Sequence, residues 1–169
     1  MMEKKLNFFK KKEKKIWTNK EIEDLQLDNI RETIYPKKLP SETFDCYWIE
    51  VQTLTPKIPK EINHNGGKWL IFVSKDKVDK LWGKIRLDTI IGFLGYKSKV
   101  STAHATKNRK SHVICVYTHD SNNKKDVMKI RKKLKKLGVR QKIGYKTNKA
   151  TLEGKYSNKG FKNISKYKS

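Results

Sequence analysis

The stretch Lys68–Val73 (KWLIFV) constrains the fold more than any other in this chain. It is apolar after its first residue, rich in β-branched and aromatic side chains, and far short of the roughly 18 residues needed to cross a membrane. A strand that is apolar almost throughout belongs in the interior of a sheet. Before it, Thr53–Gly67 reads as a loop with two prolines and Gly66-Gly67. After it, Val78, Leu81, Trp82 and Ile85 recur at helical spacing behind Ser74 or Asp76 as a cap. That pattern predicts an amphipathic helix that continues through Ile90 and Ile91 towards Leu94 and ends at Gly95.

The other elements fall around this pair. Asp45–Gln52 reads as a strand with Tyr47, Ile49 and Val51 on one face and Cys46, Trp48 and Glu50 on the other. Lys97–Ala103 and Ser111–Thr118 read as two strands joined by a polar basic loop, His104 to Lys110. Val127, Ile130, Leu134 and Leu137 mark the clearest helix, capped by Ser121–Asn123 and closed by Gly138. Its outward face is expected to carry Lys129, Arg131, Lys132, Lys133, Lys135 and Lys136. Arg140–Lys146 reads as a last strand. The prolines at 36, 40, 56 and 59 forbid a helix through their segment. The order predicts an α+β fold, a curved antiparallel sheet with helices packed on its convex face and the other face free for a ligand. Expected boundaries are a basic flexible arm over 1–20, a short helix and proline-bracketed connector over 21–44, a single α+β domain over 45–157 and a basic tail over 158–169.

Charge narrows the ligand class. The 169 residues carry 41 Lys or Arg against 17 Asp or Glu, a formal net charge of +24. An A/T-rich genome enriches Lys, but it also enriches Glu, and the excess here is unevenly placed. Residues 21–50 hold eight acidic and three basic residues, whereas residues 97–169 hold 22 basic and three acidic, a net +19. A basic surface on the C-terminal half implies RNA or another phosphate-rich partner. No apolar run is long enough to span a membrane. Cys46 and Cys115 have no metal-like spacing and suit core thiols in a reducing, cytoplasmic compartment.

Catalytic signatures are sparse. The chain has no Gly-rich phosphate loop before a helix, no G-x-S-x-G, no H-E-x-x-H and too few clustered carboxylates for a two-metal nuclease. No metal or cofactor is implied, and the oligomeric state is left open. The informative group combines ammonium, hydroxyl and imidazole side chains. Lys97, Lys99 and Ser101 alternate on one strand, His104, Lys107, Arg109 and Lys110 occupy the loop, and His112 and Tyr117 lie on the next strand. Lys146, Lys155 and Tyr156 join from the last strand and tail. Such groups are what a phosphate requires. His112 and Tyr117 have opposite parity, so both line one pocket only across a bulge. Trp48 and Tyr117 are the aromatic candidates for stacking.

Two resemblances follow from particular strings. Gly66-Gly67-Lys68-Trp69-Leu70-Ile71, Leu81-Trp82, the Val113–Thr118 strand, the 123–137 helix, and Gly138 followed by Lys142-Ile143-Gly144-Tyr145 resemble translation initiation factor 4E in order and spacing. More specifically, KVSTA (99–103), HVICVYTHD (112–120), DVMKIRKKLKKLGV (126–139), YKT (145–147) and GKYS (154–157) resemble the basophilic-leukaemia-expressed protein family. That family is described as 4E-like in fold and also bears a phosphothreonine-lyase label. The resemblance implies a nucleotide or RNA-end site on the concave sheet face, with Lys107, Arg109 and Lys110 as its basic phosphate loop. Factor 4E clamps methylguanine between two tryptophans from loops before the GG-x-W-L-I string. Here Thr53–Asn65 contains no aromatic, so cap recognition of that kind is not expected. The lyase label, as the alternative, would need Lys99 to abstract a proton and His112 to protonate the leaving phosphate.

Overall fold

The computed structural model describes residues 38–54, 64–156 and 159–169. The basic arm and the expected helix near 18–34 lie outside the described residues. Among the described residues six strands form one antiparallel sheet: β1 (Trp48–Gln52), β2 (Gly67–Ser74), β3 (Lys97–Ser101), β4 (Ser111–Thr118), β5 (Gly144–Thr147) and β6 (Tyr167–Lys168). Their spatial order is β1-β3-β4-β2-β5-β6. The apolar strand is interior as expected: β2 pairs with β4 along its whole length and with β5 over its first half.

Alternation along β2 decides which face is covered. Trp69 and Ile71 are fully buried among Val78, Trp82 and Ile85 of α1 (Lys75–Ile90) and Val127, Ile130 and Leu134 of α2 (Lys124–Lys136). Val51, Val100, Ile114, Val116 and Tyr145 complete that core from the neighbouring strands. Trp69 Nε1 donates to the Val127 carbonyl at 3.1 Å and ties sheet to helix. Both long helices thus lie on one side of the curved sheet, the convex side, and among the described residues the concave face is left open. The short helix α3 (Asn148–Leu152), which follows β5, reaches over the open side, where Lys68 Nζ donates to Thr151 Oγ1 at 3.0 Å.

Several boundaries differ from the sequence expectation for identifiable reasons. β1 begins at Trp48, so Cys46 precedes it. Helix α1 stops at Ile90 because the Phe93 and Leu94 N–H groups both turn back to the Asp88 carbonyl. Gly95 therefore does not end the helix; it lies in the turn before β3 at φ +70°, where a side chain would collide with the Tyr117 carbonyl. The last strand is shorter than Arg140–Lys146. The expected basic tail returns to the sheet as β6, with Ile143 and Ser169 exchanging both backbone hydrogen bonds. Arg131 is not on the outward face of α2. It is buried, and its guanidinium donates to the carbonyls of Val139, Gln141 and Ser169, which anchors the segment around β5 and β6. Lys133 also turns inward, donating to the Phe93 carbonyl.

A candidate phosphate site on the open sheet face

Cross-strand partners share a face, so the register sorts the open face into rows running across the strands. The first row holds Gln52, Lys97, Tyr117, Lys68 and Lys146. The next holds Glu50, Lys99, Cys115, Leu70, Gly144 and, on β6, Lys168. Beyond it stand Trp48 with Ser101, and Phe72 with Val113. One end of the face is basic and the other apolar, with Lys99 between them.

The basic end is partly shielded. Lys68 and Lys97 approach the Tyr117 ring, at 5.2 and 5.7 Å from its centroid, and Lys99 lies 4.1 Å over Trp48. Glu50 is the carboxylate in this group, 2.6 Å from Lys97 Nζ and 3.9 Å from Lys99 Nζ. Lys68 and Lys146 form no ion pair among the described residues. Lys146 is 2% exposed, its Nζ has no hydrogen-bond partner among the described residues, and the Tyr156 ring covers it at 3.5 Å. A buried ammonium without a counter-charge is costly, and both lysines show it. Burial, reinforced by Lys99, Lys146 and Lys97, lowers the Lys68 ammonium to about 8. Burial also holds Lys146 below the ordinary lysine range. It pushes the Cys115 thiol up to about 11 and the Tyr117 phenol upward, so both stay protonated and neither supplies an anion.

The residues singled out from the sequence divide into three groups. Lys97, Lys99, Tyr117, Lys146 and Tyr156 converge on this face. Ser101 is on the same face, but its Oγ already accepts the Val113 N–H at 2.9 Å, and Lys155 pairs with Glu153 at 2.6 Å. His104, Lys107, Arg109 and Lys110 are exposed in the β3–β4 loop, beyond the apolar end of the sheet; His104 packs edge-on against Tyr47. The loop is thus separated from the lysine row rather than adjacent to it.

His112 requires a correction. It points to the helix-covered side with Ile114 and Val116, is 2% exposed, and lies with Nδ1 2.7 Å from the Ser101 carbonyl. Its parity opposite to Tyr117 is kept because no bulge interrupts β4. Lys99 and His112 therefore sit on opposite faces and cannot act on one phosphothreonine, which removes the acid–base pair that the alternative lyase reading would need. Lys68, by contrast, escaped the sequence reading because it opens an apolar string. The usable signal was period two, since Lys68, Leu70 and Phe72 alternate with Trp69, Ile71 and Val73. Among the described residues no group of three or more His, Cys, Asp or Glu could hold a metal ion, and no helix is long and apolar enough to cross a membrane.

A curved antiparallel sheet with helices on one face and an open concave face is the architecture of the 4E-like proteins, and solved structures agree. A schistosome eIF4E complexed with m7GpppA and 4E-BP superposes with a TM-score of 0.59 at 17% identity, covering 88% of this chain and 81% of that one. The same protein with m7GpppG and 4E-BP gives 0.57 at 18% identity, with the same coverage. Ascaris suum eIF4E-3 with an m2,2,7G cap gives 0.51 at 19% identity over 73% of each chain. Within that fold class the family is specific: residues 4–151 match the model of basophilic leukemia-expressed protein Bles03, and the chain belongs to that family.

Proposed function

We propose that this protein binds a phosphate-bearing, nucleotide-type ligand on its concave sheet face, with Lys68, Lys97, Lys99 and Lys146 holding phosphate. One observation carries the reading: Lys146 Nζ is buried at the basic end without a hydrogen-bond partner among the described residues, beside a depressed Lys68. An anion there would supply the missing partner and return both ammonium groups towards their ordinary charge state. The solved 4E structures, whose ligands are cap nucleotides, support the choice of ligand class. The reading does not rely on a two-tryptophan clamp: Trp69 and Trp82 are consumed by the core, which leaves Trp48 as the tryptophan on this face among the described residues. The exposed lysines of α2 would add salt-sensitive, non-specific affinity for RNA from the opposite side.

The test is calorimetric titration with inorganic triphosphate, GTP and methylated GTP at low salt. Binding of all three is expected, with GTP and its methylated form equal within about twofold because no paired stacking discriminates them. Lys146→Met should weaken each at least about tenfold, the scale of one charge-assisted contact. Undetectable triphosphate binding, or undiminished binding by Lys146→Met, would overturn the assignment.

A further inference from the structure

Phe72 has no part in that phosphate site. It is 64% exposed in the second half of an interior strand, where its helix-side neighbours Ile71 and Val73 are fully and partly buried. Single exposed apolar residues are ordinary. The position of this one is not, because it lies between two basic zones. Along the strand direction the order is Lys68 with Lys97 and Lys146, then Phe72 with Val113 and Trp48, then the loop carrying Lys107, Arg109 and Lys110. Phe72 stands four residues from Lys68, about 13 Å at strand rise. The loop begins past Ser101, beyond the level of Trp48.

We infer that the open face is a track for single-stranded nucleic acid running along the strands, with Phe72 as its base-stacking platform. Phosphate, flat apolar base and second phosphate are the repeating chemistry of such a strand. Cation, aromatic and cation recur here in the same order. A mononucleotide would satisfy the lysine row alone and leave both Phe72 and the loop unused. Duplexes are excluded by the platform, since a paired and stacked base has no free face to offer. The inference rests on the phosphate site proposed above but makes separate demands on ligand length and on residues outside that site.

The experiment compares inorganic triphosphate, a mononucleotide, a single-stranded RNA hexamer, the same hexamer as DNA and a hexamer duplex, all with the full chain. The single-stranded hexamers are expected to bind at least about tenfold tighter than the mononucleotide, and the duplex no tighter than it. Phe72→Ala should lower the ratio of hexamer to triphosphate affinity by about five- to a hundredfold, and Phe72→Trp should restore it. Replacing Lys107, Arg109 and Lys110 together by Gln should reduce the salt slope of hexamer binding by about two, at roughly 0.7 per phosphate, and leave that of the mononucleotide unchanged. Equal affinity for mononucleotide and hexamer, or an unchanged ratio in Phe72→Ala, would overturn the track while leaving the phosphate site standing. Loss of triphosphate binding itself would remove both.

Discussion

Raising the pH should loosen the ligand well before any ordinary lysine titrates. Lys68 loses its proton near pH 8 in the free protein because it is buried and faces Lys99, Lys146 and Lys97. A phosphate against Nζ favours the charged form, so its value in the complex should climb back towards 10.5. Free Lys68 is about nine-tenths protonated at pH 7 and about one-tenth at pH 9, whereas bound Lys68 stays charged at both. Affinity should therefore fall about tenfold between pH 7 and pH 9, close to 1.4 kcal/mol. The sign follows from proton counting: the complex holds more protons than its parts in this window, so a rise in pH opposes binding. Lys146, depressed by the same burial, pushes in the same direction. A nucleoside monophosphate is the suitable ligand here, because phosphate monoesters lose their last proton near pH 6, below the window. Calorimetry in two buffers of different ionisation enthalpy should register proton uptake, and Lys68→Met should remove most of the slope. Affinity that is flat or rises from pH 7 to 9, or a slope undiminished in Lys68→Met, would refute the argument.

Other outcomes follow from the same contacts. His112→Ala should cost about 1–3 kcal/mol in urea unfolding, since it leaves the buried Ser101 carbonyl without its 2.7 Å partner, while triphosphate affinity stays within about twofold. A lyase using His112 would instead lose turnover, which a phosphothreonine peptide followed by mass spectrometry would reveal. Arg131→Met should cost about 3 kcal/mol or more, because three carbonyls lose a charged donor, and amide exchange should show β6 released from β5. Burial raises the Asp88 carboxyl to about 6, with Lys133 opposing the shift. The folded state thus binds that proton more tightly than the unfolded one. This contribution is complete below pH 4 and is lost as the pH rises through 6. Asp88→Asn should accordingly lack a decline on the order of 2 kcal/mol between pH 4 and 7 in wild-type denaturation midpoints.

What the sequence conveyed and what it concealed have physical causes. Strong periodicities survived intact: β4 spans the predicted residues, and α2 buries Val127, Ile130 and Leu134 as its spacing requires. Element ends were less legible because they depend on tertiary partners. Helix α1 ends where Asp88 collects two N–H groups, and the polar tail becomes β6 because buried Arg131 and β5 receive it. The face of each strand residue was legible by parity. Which face lacked helices was not, and that decides whether Lys99 or His112 meets a ligand. Lys68 illustrates the difficulty, since in composition it is one of many lysines and in register it occupies the centre of a basic row.

That placement also separates selection from codon drift. An exposed lysine, such as those along α2, costs little and accumulates easily in an A/T-rich sequence. A buried one does not: each ammonium withdrawn from water must be offset by a partner or surrender its proton. Lys97 and Lys99 retain Glu50, whereas Lys68 and Lys146 lie side by side, one lowered to about 8 and the other without a hydrogen bond. Methionine at either position would relieve that penalty at once, with an unbranched stem of similar length packed against Tyr117 or Tyr156. Stability alone would therefore remove these two lysines before the exposed ones along α2. Their presence at adjacent positions of one row is what the proposed anionic ligand, supplying the counter-charge on binding, would account for.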